Sequence, residues 1–459
     1  MNKIVTDKKF YVAVLAMAIP VAFQNLITFG VAFADNLMVG ALGERSLAGV
    51  ATANYMTFLF TVTCFGIGSG AVVLISQYFG KGNIEAIQKV MAIAIRIALA
   101  IASVFALVGV FAPEFCLSIF TNDQEIIELG QVYLRIVAIS YLFSAFTTVF
   151  LISVRGVEQV IISSVVYILS FIISVSLNYI LIFGMFGFPA LGIKGAAIGT
   201  LCARIFEFTL VTVYAYFIEK KIKFRYRFLL HWDADLTLDY FRYGMPVLLN
   251  ELLWATGISL QNMIIGRMGR DVVAANSITG NIDQLSSIMI FGVANASAVI
   301  IGKAIGSGDK PYAIKCANTF AAFSLFLGLV SSTFVFLIRH RIVGFFNVSP
   351  ETQLLASQTM LSLSIILFFV SISAVHIVGT FRGGGDTKFG MYADLILVWF
   401  VSTPLGYVAG LVWGLPLPIV LLCLKVDEMI KACLCLWRVF GNKWIKTVVR
   451  EAPVIQEAI

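Results

Sequence analysis

The sequence predicts an all-α integral membrane protein, with twelve transmembrane helices in two six-helix bundles related by an internal repeat. Three observations predict it. Sixty per cent of the 459 residues are hydrophobic and only 12% are charged, whereas a soluble globular chain carries about 25% charge. Surface this apolar needs lipid to cover it. The apolar residues also fall into twelve runs near the roughly 20 residues that span a bilayer. Finally, the chain matches itself at a shift of 226 residues. Pro20, Leu26, Asn36, Gly40 and Gly43 fall on Pro246, Leu252, Asn262, Gly266 and Gly269. Phe65-Gly66, Gly80 and Gly82 fall on Phe291-Gly292, Gly306 and Gly308. At a shift of 227, Arg155-Gly156 falls on Arg382-Gly383, and Gly187 and Pro189 on Gly414 and Pro416. Tandem copies in an apolar chain are a signature of secondary transporters, with the substrate site between or within the repeats.

The first bundle, residues 1–218, takes six runs. Helix 1 covers 11–35. Its apolar run continues from Phe10 past Val31, longer than the about 7–15 residues of a cleaved signal core, and so predicts an uncleaved helix. Helix 2 covers 47–79, and Gly66, Gly68 and Gly70 within it permit close packing or a bend. Helices 3 to 6 follow at 89–112, 130–153, 161–184 and 195–218. Residues 219–240 break the apolar pattern with Lys220, Lys221, Lys223, Arg225 and Arg227, then Asp233, Asp235 and Asp239. This stretch reads as a cytoplasmic linker ending in a short amphipathic entry to helix 7. The second bundle, 241–459, repeats the plan at 241–265, 272–305, 313–338, 355–379, 389–412 and 416–438. Pro20 and Pro246 sit early in helices 1 and 7, where a proline removes one backbone bond and bends the helix.

Charge sets the orientation. With a cytoplasmic N-terminus, 21 Lys and Arg collect on that side and 6 on the other, the positive-inside pattern with both termini in the cytoplasm. The excess of Lys and Arg over acids, 32 against 25, therefore reports topology and no nucleic-acid partner. The seven cysteines show no metal or redox spacing and read as small buried apolar residues. No Walker Gly-Lys-Ser/Thr follows either Arg-Gly pair, and no His-Glu-x-x-His or Gly-x-Ser-x-Gly is present. ATP coupling and enzymatic activity are not expected, nor is a cofactor.

Several motifs carry a family resemblance. Pro20-x3-Gln24, Asp35-x4-Gly40-x2-Gly43 and Leu47-Ala48 resemble the first-helix pattern of multidrug and toxic compound extrusion (MATE) transporters of bacterial type. So do Gly80-x-Gly82, Asn178-Tyr179 with Gly184, Ala190-Leu191-Gly192-Ile193-x-Gly195-Ala196-Ala197, and Arg382-Gly383-Gly384-Gly385-Asp386-Thr387. The resemblance covers essentially the whole chain. It implies export of organic, often cationic, compounds in exchange for protons or sodium ions, from a multi-pass protein of the inner (cytoplasmic) membrane. A monomer with the bilayer and small-molecule substrates as partners is expected. The alternatives are a lipid-linked saccharide flippase of a related superfamily, which would want a cavity rich in Arg and Lys, and a membrane-embedded enzyme.

Ionisable residues at bilayer depth are functional candidates, because they are costly to place there. Asp35 matches the family's cation-coupling aspartate. A carboxylate withdrawn from water holds a proton more readily than one in solution, and its oxygens equally suit sodium, so Na+ at Asp35 is the one metal ion expected. The resemblance assigns Asn178 and Thr200 as its helpers. It also places a second acid one turn after Asn178 in some branches, where this chain has Ile182. This leaves Asp35 as the acid of the first bundle. The repeat puts Gln261 opposite Asp35, so the two bundles differ chemically. The second bundle offers Glu251, Asp283 and Asp394, with Glu251 read either as a cation ligand or as a hydrogen-bonded structural acid. Asp427 and Glu428 with Lys425 and Lys431 read as a neutralised helix end, Arg96, Arg135 and Arg204 as interface-seeking side chains, and His376 as a packing residue. Gln24, Tyr55, Met56, Gln261 and Met289 are candidates to line a substrate cavity, where Met adapts its shape and aromatic faces attract cations.

Overall fold

The computed structural model describes residues 4–230, 232–346 and 348–450. His231 of the linker and the last nine residues of the expected second bundle lie outside them. The described residues form helices and no strand. The twelve crossing helices, numbered α1 to α12, are Lys8–Gly40, Glu44–Lys81, Ile84–Phe111, Gln124–Arg155, Ile161–Phe183, Ile193–Ile218, Met245–Gly266, Arg270–Gly306, Lys310–Val343, Pro350–Phe381, Thr387–Val412, and a broken α12 made of Leu417–Leu424 and Val426–Phe440. Ten of these are long and apolar enough to cross a membrane by length and composition; α7 and the broken α12 complete the two sets of six. Polar caps start several of them, as the sequence dictates: Asp7, Asn83, Asp123, Asp309 and Ser349 each accept a hydrogen bond from a first-turn N–H. Gly82 and Gly184 end α2 and α5 in the left-handed conformation that glycine adopts without steric cost.

The two prolines of the repeat are not equivalent. Pro20 lies inside a continuous α1. Pro246 is the second residue of α7, which begins at Met245 after a separate short helix, Ala234–Tyr243. The missing N–H of a proline costs nothing at a helix start, so in the second copy the proline starts a helix and does not bend one. The short helix is the amphipathic entry segment, with Asp233 capping it through Leu236 N at 3.0 Å.

Each bundle lends the start of its first helix to the other. Phe10, Val14, Met17, Ala18 and Val21 of α1 belong to the apolar core built by α8 to α12. Leu248 of α7, with Leu236 and Tyr240 of the short helix, belongs to the core of α2 to α6. This exchange closes the molecule at the end that carries both chain termini. A Cβ at Gly80 of α2 would lie 2.1 Å from the carbonyl oxygen of Lys303 on α8, and one at Gly306 of α8 would lie 1.9 Å from that of Gln77. Only glycine allows backbones this close. The repeat pairs Gly80 with Gly306, so each copy supplies one half of a reciprocal contact.

The chain after α12 crosses back over this seam. Trp444 is fully buried. Gln77 of α2, also fully buried, donates to the carbonyls of Gly383 (3.0 Å) and Lys446 (3.1 Å) and accepts from Val448 N (2.9 Å). Arg450 then grips Asp239 of the short helix at 2.6 Å. A hydrogen bond to Asp239 raises the Arg450 pKa, so this grip keeps its positive partner throughout the physiological range. Lys303 of α8 pairs with Glu158 at 2.6 Å across the same seam.

Candidate functional site

In the first bundle, α1 runs on to Gly40, five residues beyond the expected end, so Asp35 is an interior residue and not its cap. Asn178 of α5 donates its Nδ2 to Asp35 Oδ1 at 2.8 Å. Asn178 is 1% exposed, and the sequence makes room for it with a glycine. A Cβ at Gly199 of α6 would lie 1.9 Å from Asn178 Oδ1, so the Gly199-Thr200 pair lets α5 and α6 close around the amide. Thr200 itself donates to Ala196 O at 3.0 Å and forms no hydrogen bond to Asp35. Ile182, one turn after Asn178, is buried.

Asp35 is not the only acid of this bundle. Glu207 of α6 is 2% exposed; it accepts from Arg204 Nη1 at 2.7 and 2.9 Å and from Ser170 of α5 at 2.5 Å. Arg204 is therefore tied to a buried acid and does not stand free at the interface, although its side chain stays 36% exposed. A buried acid keeps its charge only with a partner, and an arginine one turn earlier provides it. The Arg-x-x-Glu spacing inside an apolar helix was the signal. The charge of Arg204 acts on Asp35 as well.

The second bundle holds a longer polar network. Arg382, just after α10, is 4% exposed. It donates to Ser69 of α2 (2.8 Å), Asn250 of α7 (3.1 Å) and Glu251 (2.5 Å). Glu251 thus serves a basic side chain and does not pair with Asp283. Asn250 donates to Asp394 of α11 at 2.5 Å. Asp394 and two acids of α12, Asp427 and Glu428, converge on Lys431 Nζ at 2.8, 2.9 and 2.6 Å. Lys431 is 2% exposed, so this group is an interior cluster, not a neutralised helix end. Ser373 of α10 donates to Glu428.

Arginine meets amide in both copies. Arg155 donates to Gln24 at 2.7 Å, as Arg382 does to Asn250, and Gln24 and Asn250 are repeat partners at the shift of 226. Gln24 is accordingly buried on the seam between α1 and α5, where it also donates to Val160 O and Ser164; the expectation that it lines a cavity does not hold. Glu251, next to Asn250, has no acidic counterpart, since Asn25 occupies the matching place.

Gln261, opposite Asp35 in the repeat, is buried and donates to Leu424 O at 3.0 Å. That carbonyl sits where α12 breaks, so the glutamine fastens the break. Tyr55 is exposed and stacks on Phe120 with centroids 5.0 Å apart, while Met56 packs against the core of its own bundle and Met289 is partly exposed. His376 is fully buried, within 3.0 Å of Thr380, in the π-helical turn Val375–Phe381 that ends α10.

A cavity of about 490 Å3 opens in the second bundle. Asn262, Asp283, Lys425 and Trp254 line it, with Phe65 and Phe291 at the boundary between bundles. Gln261, Glu251, Asp394, Glu428, Lys431 and Arg382 border it too, so the polar network forms one of its walls.

A family model described as MatE matches the chain twice, over residues 20–180 and 246–408. The two matches begin on the two prolines of the repeat. A probable multidrug resistance protein NorM of Thermotoga maritima is 23% identical over 447 residues, 96% of this chain and 95% of that protein. Multidrug resistance protein PmpM of Pseudomonas aeruginosa is 24% identical, over 86% of this chain and 83% of its own length. A solved structure described as the outward-facing conformation of a multidrug resistance MATE family transporter superposes with a TM-score of 0.84 at 19% identity, covering 94% of this chain and 96% of that one. Another, of a MATE protein in the bent conformation, gives 0.83 at 18% identity, over 96% and 99%.

Proposed function

The chain belongs to the MatE family and is a multidrug transporter of the membrane, and from that membership we propose that it is a cation-coupled antiporter. It exports organic cationic or amphipathic compounds by alternating access, driven by H+ or Na+ entering at Asp35. The observation that carries this reading is the Asp35–Asn178 contact at 2.8 Å, a carboxylate oriented by an amide within the first bundle. A coupling ion shifts a conformational equilibrium only through different affinities for the two states. Asp35 lies on the helix whose two halves serve different bundles, so a charge change there acts on the element that must move.

Substrate binds between the bundles, and it leaves outward as the ion enters. Thr200 is a second-rank helper, close to the pocket but bonded to its own backbone. The seal at the terminus-bearing end supports reading this structure as the outward-facing state. The distribution of Lys and Arg supports termini in the cytoplasm and an inner-membrane location. The protein acts as a monomer and needs no cofactor beyond the coupling ion. Asp394 contributes to the second bundle as a polar anchor, held by Asn250 and Lys431, and neither it nor Asp283 is the primary coupling site.

Efflux of a fluorescent cation from everted vesicles tests the role of Asp35. The Asp35→Asn variant, expressed to the parental level, is expected to lose gradient-driven export; unchanged export would overturn the assignment. Separately imposed proton and sodium gradients in proteoliposomes identify the ion.

A further inference from the structure

We propose that the cavity of the second bundle is a binding site for zwitterionic organic molecules, in which Lys425 receives an anionic group and Asp283 a cationic one. As an assignment of cargo it rests on the export reading above; as a binding site it does not.

Pairing singles out these two residues. Three cations and four acids line the cavity. Arg382 is committed to Glu251 and Ser69, and Lys431 to Asp394 and Glu428. The side chain of Lys425 has no hydrogen bond or ion pair among the described residues, and that of Asp283 has only a 3.3 Å contact from Ser287. Lys425 stands at the break in α12, between Leu417–Leu424 and Val426–Phe440, with its backbone out of the helical range at φ −117° and ψ 14°. Its charge acts on Asp283, yet no ion pair joins them among the described residues.

Lys425 and Asp283 are each half-buried, so both charges are available to a ligand that enters this partly closed space. The amides of Asn262, Asn276 and Gln284 line the same space and make no hydrogen bond among the described residues. The volume, about 490 Å3, falls within the roughly 300–1,000 Å3 of small-molecule sites. Trp254, Phe65 and Phe291 give it flat apolar walls. A ligand that is only cationic satisfies Asp283 but meets Lys425 as a like charge. A ligand that is only anionic meets Asp283 the same way. One carrying both charges on an aromatic body satisfies both groups, its anion accepting charge-assisted hydrogen bonds from Lys425 and its cation facing the opposite charge of Asp283. The near balance of charge also disfavours a pyrophosphate-bearing lipid, which needs a net positive cavity.

The test compares tetramethylrhodamine, which carries a carboxylate beside a delocalised cation, with its methyl ester, which carries the cation alone. Binding to the purified full chain in nanodiscs is read by fluorescence anisotropy, with empty nanodiscs subtracted. The zwitterion is expected to bind about tenfold more tightly than the ester, the size of one charge-assisted contact. Lys425→Met should bring the two dyes to equal affinity without weakening the ester, and Lys425→Arg should restore the preference. Asp283→Asn should weaken both dyes. Retained ester binding by Lys425→Met shows that the variant is folded. Equal affinity of the parent for both dyes, or a preference that survives Lys425→Met, overturns the proposal. Export measured in proteoliposomes separates the two readings. A charge preference without export sinks the transport reading alone, and export without the preference sinks this one alone.

Discussion

Lys431 shows how much one side chain can hold in place. Its ammonium answers three carboxylates within 2.9 Å, and among the described residues no other cation pairs with all three. Lys431→Met leaves those acids buried and uncompensated. Breaking a buried ion network by removing one partner costs about 3–5 kcal/mol, so the variant is expected to lose most of its heat stability, measured by fluorescence-detected size exclusion after heating. Asp394→Asn keeps a hydrogen-bonding group beside Lys431 and should cost less. Asn178→Ala is expected to disturb transport more than folding, because it frees Asp35 without opening a charged hole; efflux should fall while the melting profile stays close to the parent. At this scale the sequence was legible only in part. Asp35 stood out as an acid in an apolar run, and Asn178 came from the family resemblance. Glu207 and Lys431 carried the same signal, but their partners lie on neighbouring turns or other helices. Whether a charge snorkels to the interface or turns inward depends on what the neighbouring helices present. Gln24 was misplaced for the same reason, since its partner Arg155 is 131 residues away.

Among the elements, α2 carries the closest approaches. Gly80 against the Lys303 carbonyl leaves no space for a methyl group. Gly80→Ala forces α2 and α8 apart at the seal, and overpacking of this kind costs about 1–3 kcal/mol. Because the strain falls on the closed state of this end, the expected result is increased labelling of Cys316, buried near the start of α9, by a membrane-impermeant maleimide applied from the terminus-bearing side. Helix positions were legible within a few residues, since apolar periodicity is local. The break in α12 was not: Leu417–Leu424 and Val426–Phe440 are continuous in sequence, and Lys425 is only the first of several charged residues there, before Asp427, Glu428, Lys431 and Arg438. A lysine at that point does not predict a break without the Gln261 amide that receives the freed carbonyl. Nor did the sequence separate the two prolines, whose contexts differ only in whether a helix precedes them without interruption.

At the level of the whole molecule, the repeat gave the architecture correctly, because paired glycines mark paired close contacts. What it hid was the exchange of helix starts between bundles, which needs the relative placement of the two copies. That exchange makes the seal at one end a property of both bundles together. Tethering Glu158 to Lys303 across it, as a Cys pair joined by a cleavable bifunctional maleimide, is expected to abolish export, with recovery when the tether is cut. Cys202 and Cys433 are exposed and must be replaced first. Export that continues in the tethered protein would mean that this end does not open during transport.

Gln77 also bears on how the protein is made. Its amide is satisfied by Lys446 and Val448, a contact that spans 371 residues. At about 5–20 residues per second, the ribosome takes tens of seconds to deliver those partners after α2 has emerged. Through that interval the nascent first bundle carries a polar side chain with part of its bonding unmet. Such long-range contacts are slow to form, so the seam is stitched last. A stalled or shortened product would display this unpaired glutamine, and quality-control proteases of the membrane could distinguish it from the finished transporter.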